Sequence, residues 1–243
     1  MLIRDLKYEF KSLKKYLIFI FSISSIFLLD SITNNKNPIE YYLLAISRDM
    51  GMVYDLRDFV LPFVWLIFHL LPVFALLDVI YKDHSNNGMY IMLKAKGKRE
   101  YFFSKLIASS LLISCIFVSL IIMFNLVYSI VGGIKPTDVT NLIRILITYM
   151  LEDLVLLHLG LLFAILVSER ISLVLILINL CLCMFTNLKF MIGQGSLVMK
   201  QDIFGGEFSF GFNLLVIITY ICIYVVVIYI FSPKYNYYGS KDD

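Results

Sequence analysis

Charge is excluded from six long stretches of this chain. Residues 16–29, 59–81, 106–131, 142–167, 171–188 and 212–231 make up more than half of it, yet they hold only Asp78, Arg144, Glu152 and Asp153 as charged side chains. A bilayer core of about 30 Å takes roughly 20 helical residues to cross. Inside lipid, every backbone donor and acceptor must be paired within the protein. Four stretches reach that length, and 171–188 is long enough with little tilt. The 16–29 stretch is short. It is expected either to continue through Ser31, Ile32 and Thr33, with Asp30 near the interface, or to start earlier while Lys14 and Lys15 reach out to water. The dyad alternation of a membrane barrel is absent. The expected fold is therefore all-α, a single polytopic domain over 1–243 with six transmembrane helices. Composition agrees: 60% of residues are hydrophobic and 16% charged, against about 45–50% and about 25% in soluble domains. That balance excludes a disordered chain, a nucleic-acid-binding domain and a typical soluble enzyme.

Six crossings place both termini on one side. The N-terminus, the 82–105 loop, the 168–170 turn and the C-terminal tail together carry fourteen of the 21 lysines and arginines, and the opposite face carries six. The excess of Lys and Arg on cytoplasmic loops predicts a multi-pass protein of the cell membrane with both termini in the cytoplasm. The first helix is expected to be retained, because Leu28-Leu29-Asp30 follows its apolar run where a cleavage site would need small residues. Cys115, Cys181, Cys183 and Cys222 all fall in spans and form no disulfide framework.

Residues 1–15 read as an amphipathic helix lying in the cytoplasmic interface and running into the first span. Ile3, Leu6, Phe10 and Leu13 recur at helical intervals, and Arg4, Asp5, Lys7, Glu9, Lys11, Ser12, Lys14 and Lys15 fill the other faces. It is either a basic anchor or a lever that also touches a cytoplasmic partner. The second span carries Pro62 and Pro72, which favour a bent helix. His69 lies between them near mid-bilayer, and a lone histidine there is read first as structural. The 82–105 loop is half apolar, through residues such as Met89, Tyr90, Ile91 and Phe102, and so calls for a partner surface. Asp83 to Asn87 read as turn and helix-start residues, Gly88 to Ala95 as a short helix, and Gly97 as its end.

Glu152 and Asp153 fall in the outer third of the fourth span. Each would cost about 2.5–3.5 kcal/mol at the bilayer centre, less near the edge. Two readings stand: acids that stabilise a helix interface, with Thr148 and Tyr149 four residues earlier as possible partners, or an acidic patch on a path for a cationic solute, extended by His158 and with His69 nearby. The glycine-rich 186–211 segment keeps apolar residues and reads as re-entrant or interface-lying.

Catalytic motifs are missing. The only Gly-Lys pair, Gly97-Lys98, is followed by Arg99 and has Met92 where a P-loop needs its first glycine. Neither a zinc-protease His-Glu-x-x-His nor a Gly-x-Ser-x-Gly elbow occurs. His69, His84 and His158 do not form a metal site by spacing.

The run Gly88-x-Tyr90-x-x-Leu93, with Lys94 and Lys98 leading to Arg99-x-Tyr101-x-x-Ser104-Lys105, resembles the stretch between spans two and three in the membrane subunit of ABC-2 type transporters. The rest of the chain resembles that family too: a basic amphipathic helix, six spans, a short turn between spans four and five, and a partly re-entrant outer segment. The size is similar to that of small Gram-positive permeases exporting amphipathic peptides, of the lantibiotic-immunity or phenol-soluble-modulin type. The resemblance implies that 82–105 couples to a separate ATPase, which binds ATP and Mg while this chain binds no cofactor. It implies a second permease, identical or paralogous, and a peptide substrate in contact with membrane lipid. Two other classes stay open: an ion- or proton-coupled carrier using Glu152, Asp153 and His158, and a membrane enzyme acting on lipid.

Overall fold

Six helices account for most of the computed structural model, which describes residues 1–33, 63–95, 97–131, 136–186, 188–197 and 200–234. They are α1 (Leu2–Thr33), α2 (Phe63–Lys94), α3 (Lys98–Val131), α4 (Pro136–Leu166), α5 (Glu169–Phe185) and α6 (Phe210–Phe231). Short 3₁₀ turns lie at Asp202–Phe204 and Ser232–Lys234. Among the described residues five helices are long and apolar enough to cross a membrane, and α5, at 17 residues, is slightly shorter. The protein is an all-α polytopic bundle. Residues 34–62, most of the loop after α1 together with Pro62, lie outside the described residues.

α4 is the centre of the bundle, packed against α2, α3, α5 and α6, while α1 lies against α2 and α3. Ser168 caps α5, accepting a bond from the Ile171 amide, so α4 and α5 form the tight hairpin that the near-absent loop requires. Gly160 makes the close approach possible. A Cβ there would stand 2.6 Å from Leu77 Cδ1 of α2 and 3.0 Å from Ile176 Cδ1 of α5. The Gly160 carbonyl accepts the Ser172 hydroxyl at 2.8 Å, and Ser172 meets Tyr81 OH at 2.8 Å, so three helices share one polar contact in an apolar core.

Two local expectations are overturned. Asp83 to Asn87 do not form a turn. α2 runs unbroken through them to Lys94, and the chain reverses only around Gly97, whose φ is +150°. Turn propensity is a weak prior, and here tertiary ion pairs on Asp83 outweigh it. The other concerns the amphipathic segment. α1 is one continuous helix, but its inward face carries Asp5, Glu9, Leu13, Ile20, Ser24 and Leu28, all buried. Ile3 and Phe10 point outward, 71% and 55% exposed. Two of the acids expected on the polar faces are thus inside, and half of the apolar stripe is exposed. Leu6 is half-buried against the core and Leu13 is buried within it.

Candidate functional site

The α2–α3 junction is built on a cluster of charges that three helices bring together. Lys105, in the second turn of α3, is fully buried and forms ion pairs with Asp83 of α2 and, at 3.1 Å, with Asp5 of α1. Glu9 Oε1 stands 3.9 Å from the same ammonium. Arg4 closes the cluster from the surface, 2.6 Å from Asp5 and 2.8 Å from Asp83. Ser104 donates to Asp5 at 2.5 Å and Ser109 to Glu9 at 3.0 Å. Isolated buried charges are costly, and they persist only when paired and hydrogen-bonded. This network therefore ties α1, α2 and α3 into one block.

Outside that block the junction presents a different surface. Tyr90 is 63% exposed. Arg99 is exposed, its guanidinium 4.4 Å above the Tyr229 ring of α6. Lys98 donates to the Pro233 carbonyl at 3.3 Å. Gly88 is buried. Tyr101 is fully buried and meets His84 Nδ1 at 3.1 Å. Leu93 and Lys94 close α2, and their side chains lie outside the described residues. The residues singled out between spans two and three thus divide: Tyr90 and Arg99 reach the surface, whereas Tyr101 and Lys105 are internal.

A second polar cluster sits in the bundle core. Along α2, His69 is fourteen residues from Asp83, about 21 Å at 1.5 Å per residue. His69 Nδ1 lies 2.5 Å from Asp153 Oδ1 of α4, with both side chains fully buried. The Trp65 and Tyr149 rings flank the imidazole at 5.1 and 4.8 Å between centroids. Glu152 turns to the 186–211 segment, where its Oε1 accepts the Ser196 amide at 3.2 Å. Trp65 Nε1 donates to Ser196 Oγ at 2.9 Å. Thr148 does not serve these acids, because its hydroxyl donates to the Arg144 carbonyl at 2.9 Å. His158 does not join them either; its Nε2 meets Ser110 Oγ of α3 at 3.1 Å. Glu152 Oε2, Asp153 Oδ2 and His69 Nε2 have no hydrogen-bond partner among the described residues. Beside Glu152, a cleft with room for about one water is lined by Gly195, Asn213 and Tyr220. Among the described residues no group of three or more His, Cys, Asp or Glu is placed to hold a metal ion.

The described part of the 186–211 segment folds as a cap on this end of the bundle. Its anchor is Lys200, a buried lysine held by oxygens alone. Its ammonium donates to the Cys183 carbonyl at 3.1 Å, the Thr186 carbonyl at 2.7 Å and Gln194 Oε1 at 2.7 Å. The first two are carbonyls that the end of α5 leaves without helical partners, at the negative pole of its dipole. Gln194 Nε2 donates to the same pair, at 2.9 and 2.5 Å. Burial holds the Lys200 ammonium below the ordinary lysine pKa, and the nearby Cys183 opposes that shift.

Asp5, Glu9 and Asp83 were not apparent as site residues from the sequence. One signal was available: Asp5 and Glu9 are four apart, in register with Leu13 on the same helix face. Comparison with protein-family models, curated proteins and solved structures finds no match to this chain.

Proposed function

We propose that this chain is the membrane-spanning permease subunit of an ATP-driven exporter of the ABC-2 type, with amphipathic or antimicrobial peptides as its cargo. One observation carries the reading: directly behind the α2–α3 junction, Lys105, Asp83 and Asp5 bind three helices into one block. A force applied to that junction would move α1, α2 and α3 together, as a coupling region requires. The motor would be a separate ATPase on the cytoplasmic side, and a second permease would complete the path. ATP binding can shift the permease only through contacts that differ between its two states. Tyr90 and Arg99 are exposed side chains at the junction that can supply such contacts.

A test is available in the native host. The tagged chain should co-purify with an ATPase. Tyr90→Ala and Arg99→Glu should each abolish ATP-driven peptide export while leaving membrane insertion intact. Full export by both variants would remove the coupling assignment. Tyr101 is unsuitable for this test, since its replacement would perturb packing.

The His69–Asp153 pair favours a second reading, an ion- or proton-coupled carrier needing no ATPase. Transport driven by an ion gradient in vesicles holding the purified chain alone would select it.

A further inference from the structure

Between α1 and α2, at the end of the bundle that holds the charge cluster, runs an open groove of about 630 Å³. Its two ends differ in chemistry. One is lined by Lys11 and Lys15 of α1 and by Asp78 and Lys82 of α2, the other by Phe19 and Leu71. From Lys11 to Phe19 is eight helical residues, about 12 Å, and from Lys82 to Leu71 eleven, about 16 Å. The groove therefore begins at a cationic mouth and ends among apolar side chains, over a distance that separates a headgroup from the acyl region below it.

The charges are unbalanced. Asp78 is engaged by Lys82 at 2.6 Å. Lys11 and Lys15 are exposed, and among the described residues neither has an acid partner. Tyr8 and Tyr16 also line the groove. Their amphipathic rings suit the headgroup level of a bilayer. Tyr8 connects the groove to the interior, since the buried Lys105 ammonium lies 5.7 Å from its ring centroid.

We infer that this groove binds an anionic phospholipid, its phosphate at Lys11 and Lys15 and an acyl chain along Phe19 and Leu71. Basic pockets between membrane helices bind acidic headgroups. Charge complementarity accounts for the mouth and the apolar floor for the chain. A soluble anion would use only the first of these. The inference is independent of what the protein transports.

The full chain, purified in detergent, is mixed with phosphatidylcholine alone or with phosphatidylglycerol, and bound lipid and thermal unfolding are followed. Phosphatidylglycerol should be retained selectively and should raise the melting temperature. The double variant Lys11→Gln/Lys15→Gln should abolish that selective retention, while melting as before in phosphatidylcholine. Lys7→Gln/Lys14→Gln removes the same charge from exposed positions of α1 that do not line the groove, and should retain the lipid. Soluble glycerol phosphate should not raise the melting temperature. Equal loss in the two double variants would show a diffuse surface potential in place of a site. Stabilisation by glycerol phosphate would replace the lipid with a free anion. Either result, or no preference for phosphatidylglycerol, overturns the inference.

Discussion

His69 of α2 and Asp153 of α4 approach to 2.5 Å, Nδ1 to Oδ1, in a part of the core where neither side chain has any exposed surface. Breaking such a hydrogen bond from one side leaves the other group buried without its partner, at about 1–3 kcal/mol, whereas replacing both with apolar residues can be nearly neutral. Asp153→Leu alone should therefore lower the unfolding temperature in detergent sharply. Adding His69→Phe should recover most of the loss. Strictly additive losses would show that the two side chains do not act as a unit.

Lys105 faces Asp5, Glu9 and Asp83 with no exposed surface of its own. Lys105→Met leaves three buried acids with neutral donors and, among the described residues, the peripheral Arg4 as their one cation. Its expected cost is again about 3–5 kcal/mol, read as loss of monodisperse protein after extraction. Asp83→Asn in the same chain should restore part of the yield, because it removes one of the stranded charges. A Lys105→Met protein that extracts and melts like the parent would mean that the cluster does not hold α1 to α3.

The end of α5 depends on Lys200. Lys200→Met removes three donated bonds from the Cys183 and Thr186 carbonyls and from Gln194. Leaving such acceptors short costs about 1–3 kcal/mol, and hydrogen exchange should rise locally in the cap while α4 stays protected. The pH dependence has a definite sign. Burial lowers the folded-state pKa below 10.5, so between the folded and unfolded values the unfolded chain binds more protons. Stability of the cap should therefore climb as pH rises through that window. The Lys200→Met variant should lack this alkaline gain.

Two adjacent glycines in the cap should respond unequally. Gly205 has φ +80° with open space around it, so Gly205→Ala meets backbone strain alone, about 1 kcal/mol. At Gly206 a Cβ would run into the backbone carbonyl of Lys200. The loop would have to open, breaking the bonds from the Gly206 amide to the Gln201 carbonyl and from Phe208 to Lys200, at 2.9 and 3.0 Å. Limited proteolysis should cut Gly206→Ala within 200–208 much faster than Gly205→Ala. Equal rates would show that the close approach is not needed.

What the amino-acid order determined unaided was the set of helices. An apolar run long enough to cross a bilayer has one economical way to satisfy its backbone, and that requirement is local. The stretches at 106–131 and 212–231 accordingly fall within α3 and α6, and 142–167 lies in α4 except for its last residue. The tertiary structure alone decided which way each polar side chain faces. Asp5 and Lys105 are a hundred residues apart, and nothing in either neighbourhood reveals that they meet. The apolar periodicity of Ile3 and Phe10 was legible, and both face outward. What it could not show is that Asp5 and Glu9 face inward, because buried acids are driven to whatever cation the bundle encloses. For the same reason Glu152 and Asp153 were visible as anomalies, while Ser196 and His69 emerged as their partners only once α2, α4 and the 186–211 cap had been brought together.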